Sequence, residues 1–146
     1  MDAPLAIDPI ADDDVAAVIA LWHRCELTRP WNDPDADIAL ARRGDNAVVL
    51  AGRIDGTLVA TVMTGHDGHR GWLYYLAVDP QHRGRGHGRA MVRAAEAWLA
   101  ARGIEKAMLM VRAENAAVQA FYGALGYEEQ KRVILARWLD GRAATP

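Results

Sequence analysis

The sequence predicts a mixed α/β domain, a largely antiparallel sheet flanked by helices, and three observations carry that prediction. Alternating apolar runs on both sides of an Asp55-Gly56 dipeptide mark an antiparallel hairpin. Further on, the aromatic and branched run WLYYLAV enters a glycine-rich turn, a segment of helical apolar spacing and then a second apolar run, KAMLMVR. Strand, helix and strand in that order form a crossover unit of mixed α/β architecture. At 146 residues the chain is long enough for one domain with a real core and short for two, so a single domain over residues 1–146 is expected. A 51% hydrophobic and 25% charged composition without internal repeats excludes disordered, collagen-like and solenoid classes.

Leu5 to Ile10 reads as a first strand that ends at the capping cluster Asp12 to Asp14. Val15, Val18, Ile19, Trp22 and Cys25 recur at helical spacing and predict a helix from about Asp13 to Glu26. The turn-forming stretch TRPWNDPDAD follows, then a short helix over Ile38 to Arg43. AVVLAGRI and TLVATVMTG are the hairpin strands. WLYYLAV, closed by Asp79-Pro80, reads as a buried strand. Met91, Ala95, Trp98 and Arg102 mark one face of the next helix, which Gly103 stops. KAMLMVR is apolar on both alternating faces, the pattern of a central strand covered on two sides. Asn115 is a suitable N-cap for a helix carrying Val118, Phe121, Tyr122 and Leu125, closed by Gly126. The remaining YEEQKRVILARWL is expected to form one or two closing strands. Trp22 and Trp98 read as core residues, and Cys25 as packing rather than a nucleophile.

A lone cysteine excludes intrachain disulfides and multi-cysteine metal sites. His66 and His69 around Asp67 are too sparse a set for a metal centre, so no metal is expected. The N-terminal stretch MDAPLAIDPIADDD is acidic where a signal or transit peptide would be basic, and no run reaches the length of a membrane span; a cytoplasmic location and no membrane partner are expected. The net charge of −2 is unevenly spread, with Asp8, Asp12, Asp13 and Asp14 at one end and Arg83, Arg85, Arg89 and Arg93 in the middle. That distribution locates an anion site and argues against a general nucleic-acid binder.

The arginines surround PQHRGRGHGRAM, where Gly84, Gly86 and Gly88 precede or open a helix. A strand that ends in a glycine turn and a helix start directs free N–H groups at one point, and the helix dipole adds to their attraction for an anion. Cations in a first helical turn are unfavourable by about 0.3–1 kcal/mol each. A phosphate or diphosphate offsets them, although a solvated basic turn would explain the glycines alone. The spacing is neither GxxxxGK[ST] nor GxGxxG, so neither common nucleotide loop applies.

The segment LAVDPQHRGRGHGRAMV, followed by a helix, an apolar strand and VRAENAAVQAFYGALGYEE, resembles the GNAT superfamily of acetyl-CoA-dependent N-acetyltransferases. Its [Q/R]-x-x-G-x-[G/A] motif is matched by Arg83 through Gly88, and its N-x-x-A-x-x-[FL]-Y-x-x-x-G-[FY] motif loosely by Asn115 through Tyr127. The block LWHRCELTRPWNDPDADI is similar to a bacterial subgroup of the YpeA type.

The resemblance implies a GNAT fold in which splayed parallel central strands form the acetyl-CoA cleft. It implies cofactor contacts from Leu76, Ala77 and Val78, from the loop Arg83, Gly84, Arg85, Gly86, His87, Gly88 and Arg89, and from Asn115. Loop amides would hold the diphosphate, and the pantetheine amides would pair with the strand as a peptide does in β-augmentation. An N–H near Leu76 to Val78 would face the thioester oxygen. Tyr122 falls on the family's proton donor, while Met110 stands where some members carry a glutamate base. The base is therefore open among Glu26, Asp33, Asp67, His66 and a water held by Tyr74 or Tyr75. Glu26, Trp31, Asn32, Asp33 and Tyr74 are the acceptor-side candidates, with a rigid structural turn as the other reading of residues 31–33. The implied activity is acetyl transfer from acetyl-CoA to an amine, small molecule or protein, and a homodimer is open. The missing strand carboxylate motivates the alternative, a non-catalytic acyl-CoA-binding or sensing domain. An RNA-binding use of RGRGHGR is disfavoured by net acidity and by the lack of interleaved aromatics.

Overall fold

The computed structural model describes residues 4–143, so the first three residues of the acidic N-terminal stretch lie outside it. The chain divides into two compact units, Met1–Leu109 and Met110–Pro146.

The first unit holds β1 (Ala6–Pro9), a 3-10 turn, α1 (Val15–Arg24), α2 (Pro34–Arg43), β2 (Ala47–Ile54), β3 (Thr57–His66) and β4 (Gly71–Val78). A second 3-10 turn at Pro80–His82, α3 (His87–Ala100) and the short β5 (Ala107–Met108) complete it. The sheet order is β1-β2-β3-β4-β5, antiparallel up to β4 and parallel between β4 and β5. Asp55 and Gly56 both have positive φ, 49° and 82°, as the tight β2–β3 turn demands.

The helix expected from Ile38 begins earlier, at Pro34, because Asp33 is its N-cap: its Oδ1 accepts from the Ala36 amide at 3.2 Å, and proline fills the first turn without needing its absent N–H. Val18, Leu21 and Trp22 of α1 meet Ile38 and Ala41 of α2 over Val49, Ala51 and Ala77 of the sheet. The sheet's other contacts are with α3, which packs on β3 and β4 and buries Met91, Val92, Ala95 and Leu99. A Cβ on Gly71 would stand 2.5 Å from Leu99 Cδ1, so α3 reaches the start of β4 because residue 71 has no side chain. Trp22 is fully buried as expected, but Trp98 is not a core residue. It is half-buried under the Arg102 guanidinium, 3.6 Å above its ring, and Leu99 takes the core position.

Two expected strands differ from the observed structure. KAMLMVR forms a strand only at Ala107–Met108, and Met110 is half exposed, so this is a short edge contact and not a central strand covered on both faces. The second unit contains α4 (Ala116–Ala124), capped by Asn115 and followed by Gly126 at φ 97°. YEEQKRVILARWL contributes no strand among the described residues. Val133 and Leu135 are about nine-tenths exposed. Branched apolar residues favour a pleated surface, but a strand also needs a partner for its backbone groups, and composition does not specify one.

Candidate active site

β4 carries a bulge. Met63 pairs with Tyr74 and Thr61 with Ala77, so both Tyr75 and Leu76 fall opposite Val62. Tyr75 adopts φ 52°, a left-handed conformation that costs a bulky residue roughly 1–2 kcal/mol. Its ring stacks on Trp22 at 3.8 Å with planes 6° apart. Its hydroxyl donates to Asp37 Oδ2 at 2.7 Å, and its carbonyl accepts from Thr61 Oγ1 at 3.0 Å. Thr61 in turn accepts from Trp22 Nε1 at 2.9 Å. Burial, then the Asp37 carboxylate, pushes the Tyr75 phenol up and keeps it protonated.

β5 pairs with β4 only at Gly71↔Ala107 and Trp72↔Met108. Beyond Trp72, residues 73–78 have no strand partner on that side among the described residues. The three strand residues of interest differ within this stretch. Ala77 is buried and paired with Thr61, while Leu76 lies in the bulge. The Val78 carbonyl already accepts from Cys25 Sγ at 3.3 Å and Arg83 Nε at 3.2 Å. Cys25 thus ties the end of α1 to the end of β4, and open backbone is concentrated before Val78.

After β4, Asp79 organises the turn. Its Oδ1 accepts from the Gln81 amide and its Oδ2 from Arg24 at 3.0 Å. The Gln81 amide and the Arg24 guanidinium hold its carboxyl below the usual range despite burial. Gly84 and Gly86 take φ 78° and 81°, and a Cβ added to either would meet nothing within 4 Å. Glycine is required there by conformation, not by crowding, and the space above the loop is open. Gly86 is the N-cap of α3, which has no side-chain cap and no acidic residue in its first turn. By contrast, Asp33 caps α2 and Asn115 caps α4.

The first-turn amides of His87, Gly88 and Arg89 therefore belong to a helix start that no side chain satisfies. Arg85 and Arg89 are exposed and make no ion pair among the described residues, whereas Arg83 turns back to Val78. The His87 side chain is buried at 7% exposure with Nε2 lacking a partner, so its imidazole is turned inward and not toward solvent.

Glu26, Trp31, Asn32 and Asp33 all lie on the α1–α2 connection. Glu26 is exposed at φ 57°, Trp31 is half-buried and Asn32 is exposed. The Asp33 carboxylate is engaged as the α2 cap. Tyr74 is 43% exposed on β4, and burial, with the Asp67 charge behind it, raises its phenol. Asp67 itself shapes the β3–β4 turn by accepting from the His69 and Arg70 amides. No group of three potential ligands for a metal occurs among the described residues.

In the second unit, Asn115 Oδ1 accepts from the Val118 amide at 3.2 Å. Tyr122 is 8% exposed, edge-on to Phe121 at 5.0 Å and to Tyr127 at 5.5 Å. Burial pushes its phenol up to about 12. Asp37 was not a candidate on sequence grounds, because nothing on α2 points to Tyr75 until the strand bulges toward it.

The fold as a whole is similar to that of solved N-acetyltransferase structures. Aminoglycoside N-acetyltransferase AAC(6')-Iy, in complex with the bisubstrate analogue CoA-S-monomethyl-acetylneamine, is 22% identical at a TM-score of 0.79, covering 93% of this chain and 99% of that one. A GCN5-related N-acetyltransferase from Ralstonia eutropha is 27% identical at a TM-score of 0.69, covering 94% and 100%. These likenesses define the class as the N-acetyltransferase fold. An acetyltransferase of Yersinia pestis is 46% identical over 127 residues, 87% of this chain and 90% of the relative. Another, from Sodalis glossinidius, is 47% identical over 123 residues, 84% and 87% of the two chains. Residues 16–127 match the acetyltransferase (GNAT) family, to which the chain belongs, and the protein is an acyltransferase.

Proposed function

We propose that the protein moves an acetyl group from acetyl-CoA to a primary amine by direct attack of the amine on the thioester. The start of α3 is the observation that carries this reading: two left-handed glycines, an uncapped first turn without acids, two unpaired arginines and open space above them. These features fit a diphosphate, since backbone N–H groups and the helix dipole both favour an anion there. The family's solved relatives include complexes with CoA, which supports the same ligand.

The amides of Arg85 to Arg89 would hold the diphosphate, and the open backbone of β4 before Val78 would pair with the pantetheine amides. The Leu76 amide, in the bulge, would donate to the thioester oxygen as charge develops on it. Tyr122 would return a proton to the departing thiolate, and its raised phenol keeps that proton in place at neutral pH. Glu26, Trp31, Asn32 and Tyr74 would border the acceptor, with Asp33 acting through the α2 start it caps.

Thiol release from acetyl-CoA, measured against a panel of amines, tests the reading. Turnover with at least one amine is expected, and Tyr122→Phe should lose about 100-fold in kcat, the lower end of a general acid's contribution, with coenzyme A affinity within about twofold. Tight binding with no turnover across the panel would refute transfer and favour acyl-CoA sensing. Failure to bind coenzyme A would remove both.

A further inference from the structure

We propose that Trp22, Tyr75 and Asp37 form a positioning latch that sets the β4 bulge, and with it the Leu76 amide, for acyl transfer; the inference rests on β4 being the thioester-facing strand. Tyr75 is the aromatic residue that the described chain holds at positive φ, and such a conformation persists only where its surroundings over-determine it. Three elements converge on it. α1 supplies the stacked Trp22 ring, α2 the Asp37 carboxylate and β3 the Thr61 hydroxyl. Thr61 closes the circuit, because it accepts from Trp22 and donates to the Tyr75 carbonyl. The latch therefore grips side chain and backbone of the same residue, immediately before Leu76.

The Asp37 contact also joins two parts of the proposed site. The Asp37 amide bonds the Asp33 carbonyl at 2.9 Å in the first turn of α2, directly after the connection bearing Glu26, Trp31 and Asn32. An amine settling against that connection thus presses on a helix whose first turn is hydrogen-bonded to the bulge. None of the three side chains belongs to the α3 loop proposed for the diphosphate, so their role is to aim the amide and not to hold that part of coenzyme A.

Kinetics and amide hydrogen exchange on Asp37→Ala, Asp37→Asn and Tyr75→Phe test the latch. A hydrogen bond to a charged group is lost in Asp37→Ala and Tyr75→Phe, and kcat should fall about tenfold in each, with KM for acetyl-CoA and coenzyme A affinity within about twofold. Asp37→Asn keeps an oxygen that accepts the phenol and should recover most of that loss. Exchange of the Leu76 amide in the ligand-free protein should speed up in Asp37→Ala more than exchange of the core amides of β2. Unchanged kcat in both deletion variants overturns the latch, as does a fall in coenzyme A affinity that matches the fall in kcat. If the wild type acetylates no amine, the functional reading fails by itself, and unchanged Leu76 exchange in Asp37→Ala then overturns the latch independently. If Asp37→Ala does not fold, Tyr75→Phe, which keeps the stacked ring, decides.

Discussion

Replacing Gly86 by alanine separates the backbone's need for glycine from the ligand's need for space. Gly86 caps α3 at φ 81°, and a left-handed alanine costs roughly 1–2 kcal/mol. No clash adds to this, since a Cβ there meets nothing within 4 Å. At roughly 4 °C per kcal/mol for a domain of this size, Tm should fall by about 4–8 °C. The same methyl would project into the space assigned to the diphosphate. Coenzyme A affinity should then fall by more than about tenfold, or 1.4 kcal/mol, beyond the stability loss. The ligand-induced rise in Tm should shrink accordingly. Differential scanning calorimetry with and without coenzyme A, together with titration calorimetry, reads both quantities. A variant that melts earlier yet binds coenzyme A as the wild type does would refute the diphosphate assignment while leaving the loop geometry intact.

Gly71→Ala should destabilise the protein by about 1–3 kcal/mol, the usual cost of overpacking, because its methyl would overlap Leu99 on buried α3; urea titrations of G71A, L99A and the double variant should show the double variant losing less than the two single losses together, since the methyl fills part of the space that L99A opens. Asp14 is held below its usual range first by the Ala11 amide and then by Arg53, 2.7 Å away. A depressed carboxyl stabilises the fold above its unfolded value near 3.9 and loses that contribution as pH falls through the folded value, so Asp14→Asn should flatten the acid limb of a Tm-against-pH curve. Tyr122 shifts the other way: its contribution is complete below about 10 and fades as pH rises toward about 12, so kcat should show no limb from this phenol between pH 7 and 9. A basic limb in that range that Tyr122→Phe abolishes would contradict the buried, protonated phenol.

The amino-acid order alone determined much of this protein. Asp55-Gly56 made the hairpin readable because few residue pairs accept two positive φ angles, and Val15 to Cys25 made α1 readable because period 3.6 leaves a one-sided apolar stripe. The glycines and arginines of residues 83–89 pointed to the anion site proposed at the start of α3, through backbone chemistry that is local to the turn and helix start. Local signals can also be missed, as Asp33-Pro34 shows: cap and proline were both present in the sequence, yet the helix was expected four residues later. Long-range pairing is different in kind. KAMLMVR and VILARWL have strand composition, but whether a strand forms depends on which backbone lies alongside, and one run yields two strand residues and the other none among those described.

Tertiary structure likewise decided that Trp98 yields the core to Leu99, that the Val78 carbonyl is taken by Cys25 and Arg83, and that Tyr75 is bound to Asp37 across 38 positions. Residue type encodes what a side chain can bond, and spacing encodes which neighbours within a turn it meets. A bulge that rotates one tyrosine toward a carboxylate on another element arises only when sheet register and helix packing are satisfied together, so no window of the sequence contains it.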